Sequence, residues 1–375
     1  MQRRSLMSLV RVSRSSKARG LLEPHQDTRH ATPTAVITHL CFAMRGISAS
    51  GSVLNAGSNM ALIKKLRDQS GAPISDVKKA LEETGWDLER AAEELRKKGL
   101  SAASKKASRS ATEGLVGMAS SGRAVAIVEV NSETDFVARN ELFTNVVSKA
   151  ARALLDDCGA KGPGGVGRTV ANGAGGVWAI DAEALGAIAV DGENLSEAVQ
   201  QVAGTVRENI KLRRGVVLMG GGGLSSGKSS VVGTYVHSKI TGAPTCGRIA
   251  GAVLLGSNSL GGSDAGSDSG VQDVANKLAM HVVGSMPKYL NRDSVPEADL
   301  EKERQLLMEQ AGTSGKPASI IEKMVEGRLN KFYQEYCLLE QPYVMDDKRK
   351  VKDVIRGLGD DVTLEGFVRV AVEGE

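Results

Sequence analysis

The strongest constraint on the fold of this chain is a pattern that occurs twice. EGLVGMASSGRAVAIVEV (113–130) reads as two strands around Ser-Ser-Gly and is followed by the helical run ELFTNVVSKAARALL (141–155). SVVGTYVHSKITGAPTCGRIAGAVLL (230–255) reads the same way and is followed by VQDVANKLAMHVVGSM (271–286). A Gly-Arg pair, Gly122-Arg123 and Gly247-Arg248, opens the second strand in each half. Two hairpin-plus-helix units predict an α+β core of two related subdomains with antiparallel sheets, spanning 113–220 and 230–290. Between them LSEAVQQVAGTVRENIKLRRGVVLM (195–219) predicts a helix leading into a strand, and GFVRVAVEG (366–374) predicts a strand in the closing segment 341–375.

Helical periodicity brackets this core. In 58–100, Leu62 and Leu66 lie one turn apart ahead of Gly71 and Pro73. Ser75 is placed to cap a second helix carrying Val77, Ala80 and Leu81, and Asp87 a third carrying Leu88, Ala91 and Leu95 and ending at Gly99. Three short helices in this span resemble a ubiquitin-associated (UBA) domain, whose core is small enough to call for packing on a further surface. SAASKKASRS opens a linker, 101–112. In 296–340, Ile321, Val325, Leu329, Phe332 and Tyr336 recur every three or four residues after the turn Gly312–Pro317, which predicts an antiparallel helical hairpin of coiled-coil character.

Glycine sets a trap for functional reading. Many of the 44 glycines sit in three tracts, 159–176, 220–230 and 256–270, whose composition cannot bury enough apolar surface to fix one conformation. One tract contains GGLSSGKS (222–229), a match to the phosphate-cradling pattern G-x-x-x-x-G-K-[ST]. A working P-loop needs a helix whose N-terminal amides face the phosphates. Ser229 leads instead into SVVGTYVHS, where β-branched residues favour a strand and Gly233 interrupts any helix. The best later candidate for a magnesium-holding strand, GRIAGAVLLG, ends in Gly. The match reads as an accident of a Gly/Ser loop.

Other sites are sparse. Cys41, Cys158, Cys246 and Cys337 form no C-x-x-C pair, which argues against a zinc ribbon or redox pair. Only His237 and His281 lie beyond residue 46, so a histidine-rich metal site is not expected. No apolar run approaches the ~18 residues that cross a bilayer. Residues 1–46 carry eight Lys or Arg against Glu23 and Asp27, and this Arg/Ser-rich, acid-poor stretch has the composition of a transit peptide, with a disordered basic tail as the alternative. The chain's net charge of +4 therefore belongs to the leader and gives no reason to expect nucleic-acid binding by the body.

The most specific stretch is VNSETDFVARNELF (130–143). Read alone, it allows Phe136 and Val137 to pack inward at a helix start with Asp135 as cap, or Asp135 and Phe136 to project from a loop-to-helix turn. Its TDFVARN segment resembles the hallmark of the elongation factor Ts family, and ENIKLRRG (208–215), LAMHVVGSMPKYL (278–290), SGKPASIIEKMVEGRL (314–329) and LEQPYV (339–344) are similar to family segments in order and spacing. The resemblance covers about 58–375 apart from the Gly-rich tracts, which depart from the compact family pattern.

It implies a guanine-nucleotide exchange factor that grips elongation factor Tu, GDP-bound and nucleotide-free, and binds no nucleotide or cofactor itself. It implies further that Thr134, Asp135, Phe136 and Val137 meet the partner, with Ile249 and His281 as additional contacts. For His281 alone, a satisfied histidine on an amphipathic helix is the competing reading. The leader points to the mitochondrial form, with a plastid form as the alternative. Two other functions fit parts of the chain: a ubiquitin-binding adaptor built on GWDLERAAEEL, and a P-loop NTPase.

Overall fold

The computed structural model describes residues 53–161, 168–169, 176–220, 229–257, 265–312 and 318–372. The leader, the Lys228 end of the P-loop match, most of the Gly-rich tracts and the turn of the helical hairpin lie outside the described residues.

Three helices come first: α1 (Val53–Ser70), α2 (Ile74–Glu83) and α3 (Leu88–Lys106). Leu66, Val77, Ala80, Leu81, Ala91 and Leu95 close their core. Asp87 caps α3 as expected, accepting from the backbone N–H groups of Glu89 (3.0 Å) and Arg90 (3.1 Å). Ser75 does not cap α2. The helix begins two residues earlier, at Ile74 after Pro73, and Ser75 lies inside its first turn. Nor does α3 stop at Gly99. It runs on to Lys106, so the expected linker 101–112 is helical over its first half. Ala102, Ala103 and the lysines suit a helix, and Gly99 is needed for packing. A Cβ at Gly204 would lie 2.6 Å from the Gly99 backbone, so the two helices cross at their glycines. The small bundle thus finds its further surface within the chain.

The first unit comprises β1 (Glu113–Ser121), β2 (Ala124–Ser132), α4 (Asp135–Ala138), α5 (Glu141–Lys161), β3 (Arg168–Thr169), β4 (Gly176–Asp181), α6 (Ala182–Gly186), β5 (Ala189–Val190), β6 (Glu193–Asn194), α7 (Leu195–Val206) and β7 (Lys211–Met219). The second comprises β8 (Ser229–His237), β9 (Cys246–Gly247), β10 (Ile249–Ser257) and α8 (Ala265–Ser285). Then come the hairpin, α9 (Glu297–Gly312) and α10 (Ala318–Tyr336), and a closing segment with β11 (Pro342–Tyr343), β12 (Asp346–Lys350), α11 (Val351–Arg356) and β13 (Thr363–Ala371).

The first sheet has the order β3-β4-β7-β2-β1-β9 and the second β13-β10-β8, with every pairing antiparallel. They stack face to face. Val116, Val125, Ile127 and Leu218 of one meet Val232, Val236, Ala252, Leu254 and Val368 of the other. Helices α5 and α7 cover the outer face of the first sheet, and α8 and α11 that of the second. All nine residues of β2 are buried, which explains why AVAIV (124–128) is continuously apolar rather than alternating.

The two units match position by position. Gly117 pairs with Val128 and Gly233 with Val253, each partner being the fifth residue of its strand. A Cβ at Gly117 would lie 2.7 Å from the Val147 carbonyl of α5, and one at Gly233 would lie 2.1 Å from Ala275 of α8. Each helix therefore rests directly on strand backbone. A register shift follows at Glu129/Val130 and at Leu254/Leu255, the sixth and seventh residues in both cases.

Candidate functional site

The 130–143 stretch resolves into strand, turn and helix. β2 ends at Ser132, and Thr134 is the N-cap of α4, accepting from the Val137 backbone N–H at 3.5 Å. A second tie holds the same turn: Glu208 accepts from the Thr134 backbone N–H (3.0 Å) and from its hydroxyl (2.7 Å). With the backbone fixed here, the short helix divides its side chains between a solvent face and an inner face. Val137 and Ala138 turn inward, and Phe136 turns out with 81% of its surface exposed. The alternative in which Phe136 packs inward with Asp135 as cap is not adopted. The cap is Thr134, and Asp135 stands half exposed beside Arg139 (3.6 Å).

Leaving a phenylalanine in water forgoes about 1.5–3 kcal/mol of burial energy. Met60, Ile74, Met286 and Val344 are also exposed, but none reaches the exposure of Phe136. An aromatic held out in solvent on a doubly tied turn is what a preformed contact residue looks like.

Under this turn lies a cleft of about 400 Å³ bounded by Leu115, Asp135, Arg139, Lys239 and Arg248. It is where the units meet. β9 pairs with β1, and Arg248 reaches across to Glu113 at 2.6 Å. Ile249, the next residue, begins β10 and is half-buried. The fold thus brings the Asp135–Phe136 turn and the start of β10 to one end of the stacked sheets, although they are far apart in sequence.

His281 is elsewhere and is not a surface group. It is fully buried on α8. Its Nδ1 accepts from the Val344 backbone N–H at 3.2 Å, which makes Nε2 the donor to Gln341 Oε1 at 3.0 Å. Burial lowers its pKa, against an opposing effect of the Gln341 hydrogen bond. Both ring nitrogens of His281 are thus occupied within the chain. Val137, 8% exposed, lies beneath the turn. Beside His281, Val344, Met345 and Met286 are exposed.

Glu340, next to this segment, would be pushed up by burial, but hydrogen bonds from Arg292 and Lys350 outweigh that and hold its pKa down at about 2.

The residues that sequence reading misses are Glu208, Arg248 and Lys239. Glu208 opens the ENIKLRRG segment and Arg248 belongs to the Gly-Arg pair, so both stand in recognisable motifs, but their partners are separated from them by most of a subdomain. For the P-loop match, the residues after Ser229 form β8, a strand and not the helix that phosphate binding requires. Among the described residues no cluster of His, Cys, Asp and Glu could hold a metal ion, and no helix is long and apolar enough to cross a membrane.

Comparison with known proteins agrees with the motif. Residues 133–374 match the family model for Elongation factor TS. Among curated relatives, Elongation factor Ts of Paramagnetospirillum magneticum is 42% identical over 318 residues, covering 83% of this chain and 90% of the relative. The mitochondrial Elongation factor Ts of Zea mays is 37% identical over 386 aligned positions, covering 99% of this chain and 93% of the relative. That of Ostreococcus tauri, also mitochondrial, is 41% identical and covers 84% of this chain and 87% of the relative.

Proposed function

The chain belongs to the elongation factor Ts family, and on that premise we propose how its surface does the family's work. The chain is a guanine-nucleotide exchange factor that binds elongation factor Tu and promotes release of GDP. It does so in an organelle, and the mitochondrial relatives together with the Arg/Ser-rich leader support the mitochondrion.

The observation that carries the residue assignment is the exposure of Phe136 on a tied turn. Phe136 acts as an apolar wedge between packed elements of the partner, and Asp135 supplies a carboxylate to backbone amides or cations near the bound nucleotide. Thr134 and Val137 fix the wedge from behind. Ile249, across the cleft, extends the contact onto the second unit. His281 contributes indirectly, by holding the 341–344 segment that presents Val344.

No covalent step is involved. A factor that favours the nucleotide-free partner weakens GDP binding by the factor by which GDP weakens binding of the factor itself. Each tenfold loss of GDP affinity requires about 1.4 kcal/mol of differential contact. Burying one phenylalanine supplies about 1.5–3 kcal/mol, enough for one or two decades. The remainder must come from a broad interface, for which the three-helix bundle, both units and the hairpin offer surface.

The test is release of a fluorescent GDP analogue from elongation factor Tu of the same organelle, with residues 47–375 in catalytic amounts. Acceleration with turnover is expected. A folded protein that leaves the release rate unchanged would sink this reading.

A further inference from the structure

We propose that Glu208 is a positioning residue for exchange, and that Arg207–Asn209 form the joint through which the three-helix bundle steadies the Asp135–Phe136 turn. The proposal rests on the exchange function above and assigns it residues away from the contact surface.

Three consecutive residues make ties in three directions. α7 ends at Val206, and Arg207 adopts left-handed backbone, φ +61°. That conformation costs a non-glycine residue roughly 1–2 kcal/mol, so something must hold it. The Arg207 guanidinium donates to Asp76 of α2 at 2.6 Å, and the Arg207 carbonyl accepts from Lys106 Nζ of α3 at 2.5 Å. The reversal aims Glu208 at the turn, where both carboxylate oxygens are occupied by Thr134. Asn209, buried, donates its backbone N–H to Glu133 at 2.6 Å, and its side-chain amide donates to the carbonyls of Arg109 (2.6 Å) and Ala107 (3.3 Å). Glu133 and Thr134 are the two residues immediately ahead of Asp135.

A carboxylate suits the central position. The Thr134 N–H and hydroxyl converge there as two donors, and an ionised group accepts both in charge-assisted bonds. Without it, the Thr134 N–H and hydroxyl lose the acceptor they share. The carbonyl still accepts from the Ser132 hydroxyl (3.0 Å) and the Ala138 N–H (3.4 Å), and the weak capping contact with Val137 remains, but the turn that orients Phe136 is held less firmly. The bundle enters through α2, α3 and the segment behind α3, which reach the turn by way of Arg207 and Asn209. A bundle seated on the partner would therefore hold the turn in register with it.

The experiment is a double-mutant cycle on the full body, residues 47–375, read as the maximal GDP-release rate at saturating factor, with the half-saturating concentration and the thermal midpoint recorded beside it. The variants are Glu208→Ala, Phe136→Ala and both together. Loss of a charge-assisted pair predicts that Glu208→Ala lowers the maximal rate about tenfold and changes the half-saturating concentration less. Because Glu208 acts through Phe136, the double variant should fall within about twofold of Phe136→Ala alone.

Multiplying losses would overturn the proposal, as would wild-type exchange in a folded Glu208→Ala. If that variant is unfolded at the assay temperature, Glu208→Gln takes its place in the same cycle. It keeps one acceptor for Thr134, and a loss of about threefold that Phe136→Ala masks is then expected. An inactive wild type would count against the exchange reading itself, whereas an active wild type with an unaffected Glu208 variant would count only against this joint.

Discussion

The two hairpin-plus-helix units share a framework and differ in their connections. Both rest a helix on a strand glycine, Gly117 or Gly233, opposite the fifth residue of the next strand, and both shift register one step later. Both also receive a third strand on the far side of their second strand, β7 on β2 and β13 on β10. The connections diverge. Two residues, Gly122 and Arg123, join β1 to β2, whereas 238–248 joins β8 to β10 and lends β9 to the other sheet. After the second strand, the first unit makes the tied turn with Phe136 exposed, and the second passes into a Gly/Ser-rich tract outside the described residues. Requirements of backbone packing hold the framework fixed, while the contact surface we propose lies in the links.

If the framework is shared, Gly117→Ala and Gly233→Ala should each cost about 3 kcal/mol in denaturant melts, because the added Cβ meets backbone and not a flexible side chain. A unit that tolerates its substitution would not rest its helix as the other does. Phe136→Ala should slow GDP release by one to two decades while changing stability by less than about 0.5 kcal/mol, since the ring is exposed. Equal losses in both would make Phe136 part of the framework after all.

A smaller effect separates the helices. α8 buries His281, whereas the buried polar residue on α5 is Thr144. A histidine whose pKa is lowered by burial binds its proton more readily in the unfolded chain. Its stabilising effect is therefore present above the unfolded pKa near 6.5 and declines as pH falls toward the lower folded value. His281 should contribute a loss of stability between pH 7 and pH 5 of no more than about 1.4 kcal/mol per pH unit, and His281→Gln should remove that share of the slope in calorimetry. Smallest of all, Lys228→Ala in the P-loop match should leave both exchange and stability unchanged, and a loss of exchange would reopen the role of that tract.

Much of the framework is legible in the sequence because it depends on local pattern. The continuous run in β2, the periodicity of α5 and α8 and the Asp87 cap each follow from near neighbours. The features that escape such reading depend on distant partners. Gly99 looks like a helix end until Gly204 is seen against it. Arg207 gives no local hint of left-handed backbone, because the ties that hold it come from Asp76 and Lys106. The TDFVARN motif marks the stretch, but the tie that holds its turn comes from Glu208, more than seventy positions away. The burial of His281 is not legible either, because a lone histidine on a helix carries no mark of what covers it.

The burial of β2 also bears on how the molecule carries force. The strand is enclosed on both faces and paired along both edges, by β1 and β7. Its amides should be among the slowest in the molecule to exchange with deuterium, while Phe136, only four positions beyond its end, meets solvent freely. A wedge driven into a partner recoils unless the body behind it is stiff. The wedge we propose at Phe136 is mounted almost directly on this enclosed strand, so a push there is met by the double sheet and not by a loop.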